Sequence, residues 1–427
     1  MGNYFKKMSN KVKDESFTIV LPGSNVIFTR YLYLKDEVKL ALLVSILKKS
    51  DDAIFWAYEL YYSGFKVELI EFIWNIYYKF FATLNPSFEA YLLNKFSKNK
   101  QISDDKLIST IIQDLMIRPF NTDVFFLNMI CQLFEVECNY KNTTTNTTIN
   151  MNMNMNMNKD KKKPKIISSS DLYEQLLLWI DALDYRSIAQ FVLNDKNTST
   201  NINTNFTNEY IYGYAMDAFE SLFKLNLAKK RLLKEFNNGD KTDIILLTKI
   251  MTLFSIKEKL IKGKNFYITI NPEDIVQYET IEGTNDGLRA YRILQSACIC
   301  GIDDLKHLVL FKLERDKHGD LLDIYNNKWL YHASFSPIWF NRIKQYRGYV
   351  DYTTQTVEFV DEDQLQAFYL KYGYEPDEQP INVKEKSIMA IDRSTNWSTF
   401  YKTHNQNNLV QLDEDELEEL NMDKLGI

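Results

Sequence analysis

From Asp36 onward, apolar residues recur at three- and four-residue spacing. Val38, Ala41, Leu42, Ile46 and Leu47 mark one helical face, with Lys48 and Lys49 placed near the negative end of the helix dipole. A second helix opens at Asp51 or Asp52 and closes at Gly64, a residue suited to a left-handed end. Ala53, Trp56, Ala57 and Leu60 share one of its faces, while Ile54, Tyr58, Tyr61 and Tyr62 cover much of the rest. A helix apolar on several sides is expected between neighbours. Residues 67–82 carry Ile70, Ile73, Trp74, Tyr77 and Phe81 at helical spacing, and Asn85-Pro86 starts a further helix. Helices over about 103–116 and 121–136 complete an N-terminal helical region, 36–138.

The pattern stops at 139–169, a low-complexity Asn/Thr/Met-rich insertion that cannot bury a core. A second polar insertion runs over 194–208. Helical periodicity resumes at about 170–193, 208–236 and 241–262, giving a second helical region, 170–264. The C-terminal region, 265–382, is mixed. Residues 265–270 (NFYITI) read as a strand, 286–310 as a helix, and 348–360 as a hairpin. In that hairpin Val350 and Tyr352, then Val357 and Phe359, have the two-residue period of a half-buried sheet. Asp361 opens a short helix. Residues 383–427 read as an acidic tail, mobile with a helical segment over 411–427, and residues 1–35 as an N-terminal arm, loose over 1–16 and a small hairpin or an extended arm around Pro22-Gly23 over 17–34.

The expected fold class is therefore mainly α: a helical bundle or HEAT-like helix stack with a small α+β C-terminal part containing a β-hairpin. Thirteen Gly and 8 Pro in 427 residues agree, because a many-stranded fold needs more turn residues. A net charge of −6 disfavours a general nucleic-acid binder without excluding a local basic groove. Four cysteines, Cys131, Cys138, Cys298 and Cys300, are too few for a disulfide framework in a chain of this length. No apolar run reaches the roughly 18 residues of a membrane span. No membrane partner is expected, and the expected location is cytoplasmic.

Candidate chemistry is sparse. Neither the P-loop nor the dinucleotide-binding glycine pattern is present; the nearest segment, Gly283–Arg289, reads as a turn capped by Asp286. Cys298, Cys300 and His307 have the atom types for zinc but lack a second closely spaced pair, so two small apolar residues in a helix is the plainer reading. The histidines, His307, His318, His332 and His404, sit in no nucleophile motif. Glu59 lies among aromatics, where it could act as an acid or base or be a satisfied structural carboxylate. Glu375, Asp377 and Glu378 form an acidic loop. Lys159, Lys161–Lys163 and Lys165 form a basic cluster that serves as a localisation signal or a solvated linker. No catalytic residue, metal or cofactor is expected.

A second aromatic knot, Trp329–His332 with Pro337–Phe340, precedes Arg342, Lys344 and Arg347. Core packing accounts for its rings. The basic residues beside them are candidates to grip a partner, with Trp339.

The aromatic helix pair at 51–96 and the run from Ser336 to Pro380 resemble a protein family encoded by giant, mimivirus-like nucleocytoplasmic DNA viruses. The resemblance implies a source, with the host cytoplasm, viral factory or virion as location, rather than a function. Asp52–Leu60, closed by Ser63-Gly64, is similar to the collar region of clamp-loader-related ATPases. Their ATPase motifs are missing here, so the likeness implies only an oligomerising collar in a replication or transcription accessory protein. Tyr173, Leu178 and Trp179 match the Tyr-x-x-x-x-Leu-apolar pattern by which translation-initiation scaffolds hold the cap-binding protein. An ordinary amphipathic helix has the same spacing. The expected function is a non-enzymatic interaction or scaffold protein with a protein partner. Nucleic-acid association and an enzyme of unrecognised type are the competing expectations.

Overall fold

Apolar stripes along the helices converge on three buried clusters. The computed structural model describes residues 26–98, 105–133, 169–195, 207–224, 243–260, 266–268, 270–276, 278–279, 323–372 and 397–419. Within these the chain is mainly α, with a two-stranded antiparallel hairpin in a small C-terminal α+β part.

The first cluster is built by α1 (Lys35–Lys48), α2 (Asp52–Tyr62), α3 (Lys66–Ile76), α4 (Phe88–Lys98), α5 (Asp105–Met116) and one side of α6 (Asp123–Leu133). Helix α2 packs against α1, α3 and α5. That enclosure is what its all-round apolar pattern requires, and Trp56, Ala57, Tyr58, Leu60 and Tyr61 are all buried. The helix ends as expected at Gly64 (φ 97°), where a Cβ would lie 2.5 Å from the Pro337 ring. Helix α3 gives way at Tyr77–Phe81 to a π turn, in which the Ala82 N–H bonds to the Tyr77 carbonyl. The Thr248 hydroxyl, 3.1 Å away, reaches the Tyr78 carbonyl beside it.

The second cluster gathers α7 (Ser169–Asp181), α8 (Tyr185–Gln190), α9 (Asn208–Phe223), α10 (Asp243–Lys257) and the opposite side of α6. Phe125, Phe126 and Met129 of α6 face the first cluster, and Val124, Leu127 and Cys131 face the second. Helix α10 is shared in the same way through Ile245 and Leu246. Between the clusters, Lys249 Nζ lies 3.0 Å from Glu89 Oε2, with both side chains buried, and the Tyr78 hydroxyl donates to Glu89 Oε1 at 2.8 Å. The expected single helix over 170–193 is two, divided at Leu183 (φ 55°). The Asp184 carboxylate caps the second by accepting the Ser187 N–H at 3.0 Å.

The third cluster joins the segment 26–34 to residues 324–372. Val26, Phe28 and Leu32 pack with α12 (Trp329–Ala333), α13 (Pro337–Gln345) and α14 (Glu362–Tyr372), under the hairpin of β1 (Gly348–Asp351) and β2 (Thr356–Phe359). The small hairpin or extended arm expected over 17–34 is, in its described residues 26–34, a buried turn closed by an antiparallel bridge between Phe28 and Leu34. Trp339 Nε1 donates to the Thr29 carbonyl at 3.0 Å, and His332 Nδ1 lies 3.1 Å from the Val26 carbonyl. Asp361 starts α14 as expected, its carboxylate accepting the Gln364 N–H at 2.8 Å.

One further expectation gives way. The described residues of 265–270 are not in a strand. Side chains of α5 and its end hold that backbone instead: Asp114 Oδ1 accepts the Ile268 N–H and Arg118 donates to the Phe266 carbonyl, each at 2.8 Å. A one-turn helix, α11 (Glu273–Val276), follows and buries Ile275. The acidic tail packs on the body over its described residues, 397–419, and the helical segment expected within 411–427 is present. It forms α15 (Trp397–His404) and α16 (Glu414–Glu419), with Phe400, Tyr401 and Leu417 in the first cluster and Val410 in the second.

Candidate interaction face

Pro337 sits in the first turn of α13, where its missing N–H costs nothing. Helix α13 ends at Arg347 (φ 55°), and Gly348 begins β1 with its Cα so close to Ile343 that a Cβ would lie 2.6 Å from that side chain. The hairpin pairs Tyr349 with Glu358 and Val350 with Val357. Alternation sends Val357 and Phe359 toward the third cluster. Tyr349 and Glu358 form a cross-strand pair joined by the Tyr349 hydroxyl, which raises the tyrosine's pKa. At the turn, the Asp351 carboxylate accepts the Thr353 N–H at 2.7 Å and the Thr354 N–H at 3.3 Å, which hold its carboxyl below the usual range.

Of the four residues expected to grip a partner here, two are inside. Trp339 is fully buried. Arg342 is only 3% exposed, its guanidinium 4.6 Å from the Trp339 ring and 4.8 Å from the Tyr372 ring. A planar guanidinium can enter such a knot by stacking, where an ammonium loses more hydration. Lys344 and Arg347 are exposed, as are Tyr349, Tyr352 and Val360. The exposed surface of this region is therefore the end of α13, the hairpin and its exit. Trp339 and Arg342 support it from beneath.

The second candidate group behaves differently. In α7, Trp179 is buried in the second cluster with Leu172, Leu176 and Ile180, so the apolar position of the Tyr-x-x-x-x-Leu pattern is used internally. Tyr173 is half-buried against the Tyr214 ring, 5.6 Å away, and Leu178 is half-buried.

Glu59 is a satisfied structural carboxylate. Arg30 Nε donates to Glu59 Oε2 at 2.8 Å, and the Tyr31 N–H to Oε1 at 3.1 Å. Arg30 also donates to the Tyr278 carbonyl at 2.8 Å, and its guanidinium lies 4.4 Å from the Tyr31 ring and 4.9 Å from the Tyr62 ring. Its N–H meets the Ser63 hydroxyl at 2.7 Å. The sequence flagged Glu59 but not Arg30, which arrives from a segment with no helical period. Asp114, Arg118 and Asp123 were missed for a similar reason: their partners lie far along the chain. Burial pushes the Asp114 carboxyl up, against the pull of the Ile268 amide and Arg118. Lys79, in the π turn, has its amine pulled down to about 8 by burial.

Among the described residues no group of three or more His, Cys, Asp and Glu side chains is arranged to hold a metal ion, and no helix is long and apolar enough to cross a membrane. Cys298, Cys300, His307, Gly283–Arg289, the Lys159–Lys165 cluster and Glu375–Glu378 lie outside the described residues. No family model matches this chain, and neither a curated protein nor a solved structure does.

Proposed function

We propose that this chain is an interaction protein whose helical body presents the hairpin and the end of α13 to a protein partner. The observation that carries the reading is that Lys344, Arg347, Tyr349, Tyr352 and Val360 are all exposed within one short stretch of chain, beside a knot anchored by Trp339 and Arg342. Tyrosine loses little conformational entropy on binding, and tyrosine and arginine are among the residue types that dominate binding energy at interfaces. Two buried charge pairs hold segments of the body together: Glu59 with Arg30, and Glu89 with Lys249.

The resemblance to proteins of giant DNA viruses directs the search for the partner to infected cells and their viral factories. The test is affinity purification of tagged full-length protein beside a Tyr349→Ala/Tyr352→Ala/Lys344→Glu/Arg347→Glu variant. A protein partner retained by the parent and lost by the variant supports the reading. A bound nucleic acid released steeply by salt replaces it with a nucleic-acid role. Reproducible turnover of nucleotide or nucleic acid by the purified chain overturns it in favour of an enzyme.

A further inference from the structure

A sheet of two strands has two outer edges, and here they differ in charge. Val357 and Phe359 of β2 pack on the third cluster, and α12 and α14 lie against that strand. β1 touches α13, which it continues, and none of its side chains joins the cluster. In an antiparallel ladder every second residue turns its N–H and C=O away from the partner strand. Among the described residues, the backbone of β1 bonds with no segment but β2. Along that edge Arg347 and Tyr349 are exposed, and Asp351 is partly so.

We propose that the free edge of β1 pairs with the same edge of a second copy of this chain, giving a twofold-symmetric sheet in the order β2–β1–β1–β2. The inference rests on the reading of this face as an interaction surface and names its partner.

Charge selects both the edge and the register. A twofold axis at Tyr349 sets Arg347 opposite the second copy's Asp351, and Asp351 opposite the second copy's Arg347. Opposite charges across antiparallel strands stabilise the pairing, and like charges oppose it. Moving the axis by one residue sets Arg347 against Tyr349 or Thr353 instead, and both charge pairs are lost. Arg347 precedes the strand with φ 55°, so its long side chain, not its backbone, spans the last step to the carboxylate. Turn amides on Oδ1 hold the Asp351 carboxyl below the usual range. An ionised carboxylate has acceptor sites to spare for a guanidinium. The β2 edge has no such self-complementarity. Its charges, Glu358 and then Asp361, Glu362 and Asp363, are all acidic, and self-pairing there would set like against like. In the proposed sheet the β2 strands lie outermost, about 14 Å apart across three strand spacings.

Sedimentation of the full chain from about 10 μM to 1 mM is expected to show a reversible monomer–dimer equilibrium. Tyr349→Cys is expected to form a disulfide-linked dimer under mild oxidation, because the axis brings the two Cα atoms within about 6 Å. Glu358→Cys, exposed on the same face but in β2, is expected to cross-link no more than the parent. Arg347→Asp and Asp351→Arg are each expected to weaken self-association about fivefold or more. An equimolar mixture of the two is expected to regain it, since each facing pair is again opposite in charge. Tyr349→Cys leaves the turn and both charges in place, so it decides the matter if Asp351→Arg loses the hairpin. A monomer at every concentration, equal cross-linking of Tyr349→Cys and Glu358→Cys, or a mixture no tighter than its folded components would each overturn the pairing. A monomeric parent that still retains another protein, lost in the variant of Tyr349, Tyr352, Lys344 and Arg347, overturns it while the interaction face stands.

Discussion

The chain has two tryptophan-rich knots, and they handle charge in opposite ways. Around Trp56 and Trp74 in the first cluster, Glu59 and Glu89 are sealed and answered by Arg30 and Lys249. Around Trp329 and Trp339 in the third, Arg342 is taken in by stacking on rings, and the next two basic residues, Lys344 and Arg347, stay outside. The first knot uses charge to join segments of its own body. The second leaves charge at its rim, next to exposed tyrosines. Aromatic density is common to both; where the charges end up separates a core from a face.

The sharpest way to break this contrast is Glu59→Ala. It strands the Arg30 guanidinium in a dry site, and an expected loss of about 3–5 kcal/mol appears as an earlier midpoint in denaturant. Arg30→Met combined with Glu59→Met is expected to cost less than the two single changes summed, because neither charge is then orphaned. Next in size, Gly64→Ala is expected to cost about 1–3 kcal/mol, from left-handed strain together with the clash on Pro337. Trp339→Phe keeps the ring packing but removes one of two bonds to the Thr29 carbonyl, which retains the Leu32 N–H at 3.0 Å, and a loss of about 0.5–1.5 kcal/mol is expected in the same assay. Smallest for stability is Lys344→Glu with Arg347→Glu, within about 0.5 kcal/mol of the parent, while partner capture is lost. A stability loss comparable to that of Glu59→Ala would show these residues to be core, and erase the distinction between the knots.

Local signals were legible in the sequence. Gly64 ends α2, Asp361 caps α14, and the alternation of 348–360 yields a hairpin with Val350 opposite Val357. The helical face of α7 was visible too, but the same spacing that suggested a docking motif at Tyr173, Leu178 and Trp179 serves the second cluster through Trp179. What stayed hidden depends on partners distant in the chain. Phe266–Ile268 has strand-like composition, yet its backbone partners are the side chains of Asp114 and Arg118. The acidic composition around 411–419 suggested a loose tail; Val410 and Leu417 are buried because amides at 409 and 410 find a carboxylate 286 and 287 residues earlier. At the candidate face, composition located the rim, but only the packing of Arg342 between two rings decided which basic residues belong to it.

The closure of the third cluster has a consequence for how the chain is made. Thr29 leaves the ribosome 310 residues before Trp339, the ring that covers it. At roughly 5–20 residues per second, Phe28 and Leu32 wait about 15–60 s for their covering partners. Arg30 can find Glu59 after only 29 residues. On that timescale the turn at 26–34 is expected to meet α2 through Arg30 and Glu59 well before α13 closes over it.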